Sequence, residues 1–167
     1  MCVLYANPYN TSVNGFFFSN PEEYKAKSSV LTDSFGQPVE EYEIDYVEGE
    51  LSQLFKSCGI DQCTLGLWFE ELEELSQEDQ VEIYYRCKHL GQDSQEAIYE
   101  LNDSGNISNC SIINYVYSYI QDCGILESAS EVIQRYFDYH AFARDLELNG
   151  EVTEFRYDNE TYTASGF

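Results

Sequence analysis

Charged and apolar residues alternate over 40–46, where Glu41, Glu43 and Asp45 interleave with Tyr42, Ile44 and Tyr46. A period of two predicts a strand with one acidic face and one buried face. Residues 2–6 and 15–19 read as two further strands, with turns at Asn7-Pro8 and Asn20-Pro21 and a short helix after Pro21. From Leu65 the period becomes helical. Leu67, Trp68, Leu72 and Leu75 form a stripe, and Glu70, Glu71, Glu73 and Glu74 occupy the rest of a helix expected over 65–75. Ser76 with Asp79 three residues on predicts a capped helix running to about His89, and Asp93 or Ser94 caps another reaching Leu101. Ile112, Ile113, Val116, Tyr119 and Ile120 recur at helical spacing over 111–123, and Gly124 is a natural stop. Ser128 with Glu131 predicts the next cap. A short helix follows over 137–146, then a hairpin of 151–157 and 160–164 across Asp158-Asn159. The expected fold is α+β in three small parts: an α/β domain over 1–60, an acidic helical domain over 61–106, and an α/β domain over 107–167.

Composition changes that picture in one respect. Thirty-one Asp and Glu face eight Lys and Arg, a net charge of −23, in a chain that is 43% hydrophobic and 16% aromatic. Such a chain can build a core, so the charge decorates a folded surface. That surface repels nucleic acid and membrane and attracts proteins built to hold polyanions, and its self-repulsion favours an elongated shape. Between Glu40 and Asp103 stand eighteen acids against Lys56, Arg86 and Lys88. Like charges at helical i, i+3 and i, i+4 spacing cost about a few tenths of a kcal/mol each. Their repeated tolerance points to use of the field, against the plainer readings of a solvated face or salt adaptation. B-form DNA carries one charge per about 1.7 Å, so 23 surplus charges match roughly 40 Å of duplex. Carboxylates on a pre-bent scaffold would also avoid the deformation energy of real DNA, on the order of 1–6 kcal/mol.

Candidate chemistry is sparse. With so many acids, neighbouring carboxylates single out no glycosidase pair. His89 and His140 are the only histidines and share no metal-ligand spacing with each other or with cysteine. The six cysteines (Cys2, Cys58, Cys63, Cys87, Cys110 and Cys123) have no zinc-ribbon spacing and read as reduced thiols of a cytosolic chain. No dinucleotide fingerprint, phosphate-binding loop, nucleophile elbow or calcium loop occurs. No stretch approaches the roughly 20 apolar residues of a membrane span. The expectation is a protein that is not an enzyme, with no catalytic residue, no metal and no cofactor.

One run is specific. Tyr136-Phe137-Asp138-Tyr139-His140-Ala141-Phe142-Ala143-Arg144-Asp145-Leu146-Glu147-Leu148-Asn149-Gly150 resembles the signature of the ArdA antirestriction family, with Phe142 in place of the more usual Tyr. Val3–Asn7, Gly15–Phe18, Glu43–Tyr46 and Gly124–Leu126 add to the likeness, which is loose to about residue 110 and tight after it. The resemblance implies an elongated, curved, three-domain homodimer joined through its C-terminal domain. It implies a mimic of bent B-form DNA, borne on mobile elements and acting in the bacterial host cytoplasm. The implied partner is a type I restriction–modification enzyme, through its methyltransferase core and specificity subunit, with no nucleic acid or membrane bound. The residues expected to meet that partner are Glu41, Glu43, Asp45, Glu70, Glu71, Glu73, Glu74, Glu78, Asp79 and Glu82. Tyr139, Phe142, Arg144, Asp145, Leu146, Glu147 and Leu148 would form the antirestriction motif near the dimer contact. The competing readings are an acidic module inhibiting another DNA-binding protein (a CRISPR effector, nucleoid protein or transcription regulator) and an acid-rich enzyme.

Overall fold

The computed structural model describes residues 2–167. They form eight α-helices and two three-stranded antiparallel sheets, an α+β protein. The chain divides into two compact units, with the division after Leu101. The boundary expected after residue 60 falls inside the first unit.

The first unit is built on β1 (Val3–Pro8), β2 (Phe16–Phe18) and β3 (Tyr42–Glu48), in the order β2-β1-β3. Leu4, Ala6, Phe18, Tyr42 and Ile44 point inward and are buried. Helix α1 (Pro21–Ser28) starts where Asn20 Oδ1 accepts from the Glu23 N–H at 2.8 Å and Pro21 takes the first turn. Helices α2 (Ser52–Ser57) and α3 (Leu65–Glu70) bring Phe55 and Trp68 together, ring centroids 4.9 Å apart and nearly perpendicular. Trp68 is wholly buried, and its indole N–H meets the Cys2 sulfur at 3.5 Å. A Trp in the interior needs such a partner.

The helix expected over 65–75 is not continuous. It ends at Glu70, Glu71 leaves helical geometry at φ −129°, and Leu72–Glu74 form a 3-10 turn. Glutamates at a helix C-terminus oppose the backbone dipole and repel one another at i, i+3 and i, i+4, while Leu72 still reaches the core. Helix α4 (Gln77–Tyr85) begins at Ser76, whose Oγ accepts from the Asp79 N–H, and passes into a π turn over Arg86–Leu90. Gly91, at φ +75°, closes that turn in the left-handed region. Helix α5 (Ser94–Tyr99) is capped by Asp93. Cys58 and Cys87 lie with sulfurs 3.7 Å apart; their hydrogen bond raises the Cys58 thiol pKa, with burial adding to it, and lowers that of Cys87 against the opposing effect of burial.

The second unit holds β4 (Asn106–Ser108), α6 (Ile112–Asp122), α7 (Glu131–Tyr136), α8 (Tyr139–Leu148), β5 (Val152–Tyr157) and β6 (Glu160–Ser165), with strand order β4-β6-β5. Val116, Ile120 and Ala143 are its buried helical centre. The β5–β6 turn forms as expected, with Asp158 and Asn159 at φ +47° and +64°. Two starts move. Helix α7 is capped by Ser130 and not Ser128, because residues 124–129 form turns that the Gln134 side-chain amide ties at the Leu126 and Ala129 carbonyls. Helix α8 starts at Tyr139 and not at 137, because Asp138 Oδ1 takes the Ala141 N–H at 3.0 Å.

Candidate functional site

Strand β3 executes the alternation of its sequence. Tyr42 and Ile44 are buried, and Glu43 and Asp45 are exposed, with Glu41 exposed just before the strand. Downstream, Glu70, Glu71 and Glu74 are exposed where α3 gives way to the 3-10 turn, and Glu78 is exposed in the first turn of α4. Among the described residues no ion pair engages any of these seven carboxylates.

The other three expected contact residues face inward to different degrees. Glu73 is half-buried beside Cys2, and burial, helped by the Glu73 charge, lifts the Cys2 thiol pKa against the opposing pull of the Trp68 indole. Asp79 is half-buried and its Oδ2 accepts from the Ser76 hydroxyl at 2.8 Å, so it serves the start of α4. Glu82 binds Arg86 Nε at 2.8 Å. Arg86 is only 1% exposed, reaches Glu100 at 3.0 Å with its other arm, and Glu100 also accepts from Gln92 at 2.6 Å. A buried guanidinium needs such acceptors, so Glu82 is held by the core. This role was readable in part: Glu82 and Arg86 stand four apart, the spacing of a helical ion pair.

In the second unit the motif residues split by helix face. Tyr139 stacks on Tyr117 at 4.1 Å, Phe142 lies 5.7 Å from Phe137, and Leu146 packs on the Val116–Ile120–Ala143 centre. Arg144, Asp145, Glu147 and Leu148 face outward, with Leu148 77% exposed. Helix α7 buries nothing; Val132, Ile133 and Tyr136 are all exposed.

The family model for the ArdA antirestriction protein matches residues 17–160. The chain belongs to the ArdA antirestriction family. The ArdA match starts in β2 and ends on the first residue of β6, so it takes in all ten acids and the whole α8 motif. As an ArdA protein the chain is placed among antirestriction proteins, whose counterparts are restriction enzymes. No curated protein matches the sequence. Among the described residues no His, Cys, Asp and Glu cluster is arranged to hold a metal, and no helix is long and apolar enough to cross a membrane.

Proposed function

We propose that the protein is a non-enzymatic DNA mimic that occupies the DNA-binding groove of a type I restriction–modification enzyme, formed by its methyltransferase core and specificity subunit. The observation that carries this reading is the set of seven exposed carboxylates on the first unit with no cation of their own. A DNA-binding groove gains affinity from Lys and Arg meeting phosphates. Unpaired carboxylates fixed on strand and helix offer those cations the same charge without the cost of bending a duplex. The α8 motif supports the companion proposal of a homodimer: its inner face packs its own unit, and Leu148 with the apolar side chains of α7 is left for a second copy.

The test is competition. Purified protein should displace a labelled duplex from a type I methyltransferase core, and displacement should weaken as salt rises because the contacts are ionic. Failure to displace at low salt would sink the proposal and leave the second reading, an acidic inhibitor of another DNA-binding protein, to be tested by capture on that protein.

A further inference from the structure

The outer face of the first sheet sets aromatic rings among carboxylates. Antiparallel register places Tyr5 between Phe17 on β2 and Asp45 on β3, and places Asn7 opposite Glu43 on the same face. The Tyr5 and Phe17 centroids are 4.8 Å apart with the rings tilted at 55°. Gly15 lies beneath Tyr5: a Cβ there would come within 2.7 Å of Tyr5 Cζ and collide with the Ala6 carbonyl oxygen. The backbone therefore seats the Tyr5 ring before any partner arrives. Phe17 is 56% exposed, and Glu43 and Asp45 beside the rings make no ion pair among the described residues.

We propose that this sheet face is an arginine-docking platform, on which a guanidinium of the partner protein lies on the Tyr5 and Phe17 rings while Asp45 or Glu43 accepts its N–H groups. The inference rests on the DNA-mimic reading and adds the partner's chemistry to it. Charge complementarity selects a cationic protein as occupant, because a net charge of −23 repels phosphate-bearing lipid and nucleic acid. The rings select arginine over lysine. A guanidinium is planar, weakly hydrated and forked, so it stacks on an aromatic face and pairs with a carboxylate at once, whereas an ammonium is a hydrated point charge. A duplex presents phosphates without exposed rings beside them, so the platform gives the mimic a contact that DNA lacks.

The direct test titrates isotope-labelled full-length protein with N-acetyl-arginine amide and N-acetyl-lysine amide and follows the Tyr5 and Phe17 ring signals. Arginine should shift them, with lysine shifting them several-fold less at equal concentration. Phe17→Ala and Asp45→Asn should each weaken the arginine response about threefold; D45N, a polar change at an exposed position, keeps the test valid if F17A unfolds. Equal responses to the two amides, or unmoved ring signals, overturn the platform. In duplex displacement from the methyltransferase core, the same variants should need about three- to fivefold more protein. Wild-type displacement with unchanged variants refutes the platform and leaves the mimic intact. No displacement by the wild type refutes the mimic, and the amide titration still decides the platform.

Discussion

The first unit carries twenty acids against five basic residues, and the second eleven against three. Their surfaces also differ in where exposed apolar side chains gather. The first closes its core around Trp68, Leu4, Leu54, Leu72 and Ile83 and turns carboxylates outward. Both leave large apolar side chains outside, Phe35 and Tyr99 among them in the first, but the second gathers Val132, Ile133 and Tyr136 on α7, a helix that buries none of its residues. Exposed apolar groups on adjoining helices mark surfaces meant to be covered. The proposed function calls for both a negative field and self-association, and these are best separated, because self-association through a highly charged face would carry the full repulsion.

Four experiments break or sharpen that contrast. The largest effect is expected at the core of the first unit. Trp68→Ala should cost about 4 kcal/mol in urea unfolding, whereas Val132→Ala on α7 should change stability by less than about 0.5 kcal/mol. Equal losses at the two sites would erase the difference in packing. Next comes the charge itself. Changing Glu70, Glu71, Glu74 and Glu78 together to Gln should raise the concentration needed for duplex displacement by on the order of tenfold to a hundredfold, with E71Q alone changing it less than about threefold. A single change that abolishes displacement would mean a discrete site in place of a field.

Converting Ile133 and Leu148 to Ser should weaken self-association about tenfold in sedimentation, while leaving the first unit's unfolding transition in place. Unchanged association would move the dimer contact elsewhere. The smallest effect concerns His89, which stacks on Tyr85 at 5.2 Å. Burial, with Lys88 adding, holds its imidazole below the ordinary value of 6.5. The unfolded state then binds the proton more readily, so this site withdraws stability as pH falls from 7 through 6.5 toward the lower folded value. His89→Gln should show a smaller acid-induced fall in unfolding midpoint than wild type; an identical fall would remove His89 from the pH response.

Much of the architecture was legible because it is written in local chemistry. Ser76, Asp93 and Ser111 each cap the helix that follows, Gly124 stops α6 at φ +62°, and Asp158-Asn159 turn the hairpin. The gaps were short elements without periodicity. Helix α2 is six residues long and β4 only three, and β4 is polar throughout except for Ile107, so it exists as a strand through pairing with β6. The break at Glu71 and the moved cap at Ser130 were hidden for a different reason. Each depends on local polar interactions, repulsion among the glutamates of 70–74 and the Gln134 amide at the Leu126 and Ala129 carbonyls, which hydrophobic periodicity does not weigh.

The candidate site divides in the same way. Period two along 42–46 was enough to send Glu43 and Asp45 outward, since side chains alternate across any strand. The clustering of acids between Glu40 and Asp103 and the run along α8 that resembles the family's signature were likewise present in the chain before it folded. The Ser76–Asp79 and Glu82–Arg86 pairs follow helical spacing, but tertiary structure alone decided that Glu73 lies beside Cys2, that Arg86 is buried and reaches Glu100, and that Tyr5 stands between Phe17 and Asp45. Charge and periodicity are properties of residues and their near neighbours. A neighbour from another segment, such as Cys2 beside Glu73 or Asp45 across the sheet from Tyr5, is set by register and burial between stretches far apart in sequence.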